Sequence, residues 1–157
     1  MRITIQRAQD VATFADYVGL YRSSGWTVAP SPTGLSLVTG AVCGVEMAGD
    51  PVADVLRLMH RTGLSWPTLD VPGNRRLVIL AAGSGSRDEL RRVLTARAIP
   101  RHGGALVPLP PTMLVGGPVR WVIPPRAGER LPGVDAVVSA IRQATDWRYT
   151  AAPRAAS

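Results

Sequence analysis

Lysine is absent from this chain of 157 residues, so all 18 of its basic side chains are arginine. Cysteine occurs once, at Cys43, which excludes an internal disulfide and leaves the fold to be held by its core. Phenylalanine also occurs once and aromatics make up only 5 %, which excludes a broad aromatic stacking platform. No stretch approaches the roughly 20 consecutive apolar residues of a membrane-spanning helix. The longest uncharged run, Ser23 to Val45, is broken by Pro30, Pro32, Gly34 and Gly40. The opening Met1-Arg2-Ile3-Thr4-Ile5-Gln6-Arg7 has no apolar secretory core, and the expectation is a cytoplasmic protein with no membrane partner.

What is present is 46 % hydrophobic residues, enough for one domain to bury a core unaided. The expected organisation is a single domain over residues 1–150 and a frayed tail over 151–157. The net charge of +7 invites a nucleic-acid partner through phosphate neutralisation. A GC-rich coding bias, visible also in the alanine, glycine and proline content, would write the same arginines on any surface. The charge therefore needs a clustered site before it means anything.

Periodicity supplies the elements. Val11, Phe14, Ala15 and Val18 predict a helix behind Asp10, closed by Gly25. Short strands follow at Trp26–Ala29 and Gly34–Val38, and Ala41–Met47, apolar on both faces, reads as the centre of the sheet. Asp50 is placed to cap a helix with Pro51 at its first position, Val52, Val55, Leu56 and Met59 on one face and Gly63 at its end. An extended Leu64–Val71, a Pro72-Gly73-Asn74 turn and a strand Arg76–Ala81 predict a hairpin. Ser86 and Glu89 form a capping box for a helix with Leu90, Val93 and Leu94 inward. Strands at Ala105–Leu109 and Val119–Ile123 end at the proline pairs 110–111 and 124–125, and Val134, Val137, Val138 and Ile141 mark a last helix. Hairpins mixed with helices predict an α+β fold: a mixed or antiparallel central sheet with flanking helices.

The order of these signals resembles the bifunctional DNA primase/polymerase N-terminal family, the prim-pol branch of the archaeo-eukaryotic primases. Gly25-Trp26-Thr27-Val28-Ala29-Pro30 is similar to that family's opening motif, and Gly34–Gly40 to the segment before its catalytic strand. Gly44-Val45-Glu46-Met47 falls at its acidic strand, and Pro67-Thr68 with Pro72-Gly73-Asn74-Arg75-Arg76-Leu77-Val78 at its histidine-bearing hairpin. Gly103–Thr112 resembles its glycine, strand and Pro-Pro ending, and Val119-Arg120-Trp121 the strand beyond. The chain is also similar to short, actinobacterial-type members that have lost the catalytic signature. Active members join two acids on the central strand, a histidine on the hairpin strand and a third acid, and the carboxylates hold two metal ions that carry nucleotidyl transfer. The resemblance places Gly44 and Glu46 at the first two positions, Arg76 at the histidine and Ile99 near the third acid. One carboxylate of the set is left, which implies a catalytically inactive domain without metal or cofactor.

The remaining candidates are arginines. Arg75 and Arg76 at the hairpin, Arg91 and Arg92 on the capped helix, and Arg101 with His102 are placed to line a groove for DNA, RNA or nucleotide. Two other readings stand beside this one. A protein-interaction or homo-oligomeric module would associate through the uncharged Pro108–Val119 segment, and an altered metal-dependent nucleotidyltransferase would be built on Glu46 and His102. Ser84 in Gly83-Ser84-Gly85-Ser86 suits a helix cap better than an anion cradle. Trp66, Trp121 and Trp147 suit the core better than base stacking.

Overall fold

The computed structural model describes residues 13–73 and 75–150, with backbone alone over 147–150. Asp10, Val11, Asn74, the Trp147 side chain and the expected tail at 151–157 lie outside the described residues. Helix α1 covers Phe14–Ser23 behind Thr13, not Asp10: the Thr13 hydroxyl accepts from the Asp16 N–H, and the Asp16 carboxylate accepts from the Thr13 N–H. Gly25, at φ +79°, ends it in a Schellman turn, with the Trp26 N–H donating to the Tyr21 carbonyl and that of Gly25 to Arg22.

Strands β1 (Val28–Ser31) and β2 (Gly34–Val38) form a hairpin, and β2 pairs with β7 (Leu106–Leu109) in a three-stranded antiparallel sheet. The strand expected at Trp26 starts two residues later because Trp26 turns into the core, 6 % exposed. Pro30 is tolerated because β1 is an edge strand. Thr112 locks this sheet: its hydroxyl accepts from the Leu35 N–H at 2.9 Å and donates to the Leu35 carbonyl at 2.6 Å.

The larger sheet runs in the order β10 (Arg120–Ile123), β4 (Thr68–Val71), β5 (Arg76–Ala82), β3 (Val42–Ala48), β6 (Ile99–Arg101), every pair antiparallel. The hairpin expected across Pro72 and Gly73 is β4–β5, in register from Val71 opposite Arg76. The centre of the sheet is β5; β3, expected there, is an inner strand one place away, paired with β5 on one side and the three-residue β6 on the other, because β4 and β10 extend the sheet beyond β5. A small hairpin, β8 (Met113–Leu114) and β9 (Gly117–Pro118), stands apart.

Helices α2 (Pro51–Thr62), α3 (Arg87–Thr95) and α4 (Val134–Thr150) cover one face of the large sheet. Pro51 opens α2 and Gly63, at φ +69°, closes it, but Asp50 is itself helical and its side chain makes no cap bond. On α3 Val93 is buried and Leu90 half-buried, whereas Leu94, expected inward, is 59 % exposed. It sits about 100° round the helix from Val93, past the narrow face that a short helix presents. Val134, Val137, Val138 and Ile141 all face inward as their spacing requires.

Two apolar cores result, one on each face of the large sheet. Cys43, Val45 and Met47 of β3 join Val55, Met59, Val137 and Ile141 under the helices. On the other face Val78 and Leu80 of β5 join Tyr21, Trp26, Leu35, Leu37 and Leu109 beneath the small sheet. Strand β3 is thus buried on both faces, as its continuous apolar run required.

Candidate cleft between the two sheets

Glu46 breaks that apolar run. Its neighbours on β3 point to the helices, while Glu46 points between the sheets at 4 % exposure. A carboxylate so removed from water needs charged partners. Two arginines from two other strands supply them. Arg101, at the end of β6, donates from Nε to Glu46 Oε2 at 2.6 Å, and its Nη2 pairs with the same oxygen. Arg76, at the start of β5, donates from Nη1 to Glu46 Oε1 and from Nη2 to the Pro72 carbonyl, both at 3.4 Å. Their side chains are 40 % and 38 % exposed, so each guanidinium has one side on Glu46 and one towards solvent.

Gly44 makes this possible. A Cβ there would meet Val78 Cγ1 at 3.0 Å, Arg101 Cβ at 3.3 Å and Val107 Cγ2 at 3.4 Å. The bare backbone lets the Arg101 stem cross β3 and lets β7 approach. The position at which the resemblance puts an acid is therefore filled by its neighbours. Ile99, opposite Glu46 in the β3–β6 register, is 50 % exposed beside the pair.

The arginines face a cleft of about 220 Å³ between the two sheets, walled by Val71, Val78, Leu106, Val107 and Pro108. Two guanidiniums against one buried carboxylate leave it a net positive charge. The residues do not fit the two divalent ions that active members of the resembled family would hold. Both oxygens of Glu46 are held by arginine, and neither Gly44 nor Ile99 has a side-chain donor. Among the described residues, no three His, Cys, Asp or Glu side chains come together in a way that could hold a metal ion.

Of the residues expected to share a groove, the structure brings Arg76 and Arg101 together and separates the rest. Arg75 is exposed in the β4–β5 turn at φ +49° and is not one of the residues that wall the cleft. Arg91 and Arg92 are exposed on α3, across the sheet. Arg92 ties α3 to α4 through an ion pair with Asp135, which raises its pKa above the usual arginine value. His102, one residue past Arg101, turns to the opposite face and packs near Gly85 and Glu89. Glu46 and His102 therefore do not meet.

The other candidates serve the fold. In the Ser84 turn, the Gly85 N–H donates to Glu89, the Ser86 N–H to the Ser84 hydroxyl and the Glu89 N–H to the Ser86 hydroxyl, so the donors of an anion cradle are used as a helix cap. Trp121 lies in an aromatic cluster with Tyr21 and Trp26, and Trp66 packs against the helix-side core. Burial, with Glu89 nearby, pushes the Cys43 thiol up to about 11.

The sequence places Arg76 and Arg101 in one expected groove and Glu46 on the strand beside it, but not the contact among the three. The available signal was a single carboxylate in a strand otherwise apolar on both faces, which obliges a cation to come to it. Compared with known proteins, the chain matches no family model, no curated protein and no solved structure.

Proposed function

We propose that the chain is a prim-pol-like binding domain without nucleotidyl transfer, which holds nucleic acid or nucleotide by phosphate contacts in the cleft of Arg76 and Arg101. One observation carries the reading: two arginines from different strands converge on one cleft, their guanidiniums anchored by Glu46 and half open to solvent. Arginine forks held in place suit phosphate oxygens, since little side-chain freedom is left to lose on binding. The prim-pol likeness supports it too, because Gly44, Glu46 and Ile99 sit together on β3 and β6, and Arg76 adjoins them on β5.

Titration of a labelled single-stranded oligonucleotide over a range of salt tests the proposal. Arg76→Ala and Arg101→Ala should each weaken binding and lower the salt slope by about one, whereas Arg91→Ala should change little. Absence of binding by the unaltered protein at physiological salt would refute it.

A second reading has its own observation. The β8–β9 hairpin exposes Met113 at 54 % and Val115 completely, which suits self-association through an apolar tip. Light scattering that gives a dimer, abolished by Val115→Asp, with no nucleic-acid binding, would favour it.

A further inference from the structure

We infer that the cleft selects a terminal phosphate monoester over the internal diesters of a nucleic-acid backbone, and that Glu46 acts as a fixed counter-charge on that site. The inference rests on the phosphate-binding reading above.

Glu46 cannot move aside for a ligand: it is 4 % exposed and held from two directions. An entering anion must therefore bind next to a permanent negative charge, using the donors that Glu46 leaves. On Arg101 these are both hydrogens of Nη1 and the second of Nη2; on Arg76 they are the Nε–H and the second hydrogens of Nη1 and Nη2. A diester brings one negative charge to the net positive charge that Glu46 leaves in the cleft. A monoester carries about −1.5 to −2 at neutral pH and a third terminal oxygen, so it gains more from the same forks.

Shape points the same way. The cleft, about 220 Å³, is smaller than the roughly 300–1,000 Å³ of sites that take a whole drug-sized ligand. It lies between two sheets, so an end group can enter, whereas an internal phosphate would need room for chain on both sides. Leu106 and Pro108 on its wall offer apolar contact to the attached sugar.

The test compares, by fluorescence anisotropy, one oligonucleotide with a 5′-phosphate and the same strand with a 5′-hydroxyl, both labelled at the far end. The unaltered protein should hold the phosphorylated strand about tenfold more tightly. Glu46→Gln, which keeps an oxygen to accept from Arg101 but removes the charge, should tighten it further. The double variant Glu46→Gln with Arg101→Gln leaves the formal charge of the cleft unchanged and should lose the preference. Displacement of the strand by unlabelled AMP would assign the site to free nucleotides, and displacement by phosphorylated strands alone would assign it to strand ends. Equal affinity for the two probes, or a preference that survives in the double variant, would overturn the inference and leave the binding reading intact. Weaker binding by a folded Glu46→Gln would overturn the counter-charge role. If neither probe is bound, both readings fall together.

Discussion

Glu46 bonds diagonally to Arg101. In the β3–β6 register Glu46 faces Ile99 and Arg101 faces Gly44, yet Arg101 Nε reaches Glu46 Oε2 at 2.6 Å. Diagonal neighbours on a sheet are about 7–8 Å apart at the backbone, within reach of a long side chain where nothing stands between. The missing side chain of Gly44 clears the path.

Arg101→Met should cost about 3 kcal/mol of stability, because it takes the nearer partner from a buried carboxylate. Arg76→Met should cost less, since its bond is longer, at 3.4 Å. The double change Glu46→Met with Arg101→Met should recover most of the loss, the charge and its partner leaving together. Urea unfolding of the variants measures the order; equal loss in the single and double variants would contradict it.

Gly44→Ala should destabilise by about 1–3 kcal/mol through overpacking against Val78, Arg101 and Val107. Gly44→Asp should do at least as badly, and added magnesium should not rescue it. Thermal melts with and without the ion check both statements.

Tyr21→Phe should cost about 1–3 kcal/mol. The lost hydroxyl donates to the Pro110 carbonyl at 2.6 Å and accepts from Trp121 Nε1 at 3.2 Å, joining α1, the segment after β7, and β10. Trp121 emission should shift as its N–H loses this partner, and an unchanged melting point would sink the prediction.

Cys43 should resist alkylation in the native protein near pH 8, since burial holds its thiol at about 11. The folded value lies above the ordinary 9.0, so the fold favours the protonated thiol. The associated stability is fully present below pH 9 and is lost as pH rises towards 11, by at most about 3 kcal/mol. Cys43→Ala should flatten this alkaline decline in denaturant titrations.

Local chemistry made much of the fold legible. Pro51 and Gly63 bracket α2, Gly25 ends α1, and the Pro72-Gly73 turn joins β4 to β5, because each depends on backbone preferences of a few adjacent residues. The failures were also local in form and tertiary in cause. Asp50 has the composition of a cap but helical dihedrals, Leu94 has apolar spacing but lies off the face that α3 packs, and β3 yields the centre to β5 because β4 and β10 add to the sheet on that side.

The candidate cleft divides in the same way. The sequence by itself determined that one carboxylate would sit in an apolar strand and that every cation available to it would be an arginine, since these are matters of composition and period-two alternation. Only the tertiary structure decided which arginines those would be. Strand register selected Arg76 and Arg101 and turned His102, one residue on, to the other face, and the packing of the small sheet across β3 walled one side of the space in front of them. Those choices depend on contacts between distant segments, which no pattern along the chain encodes.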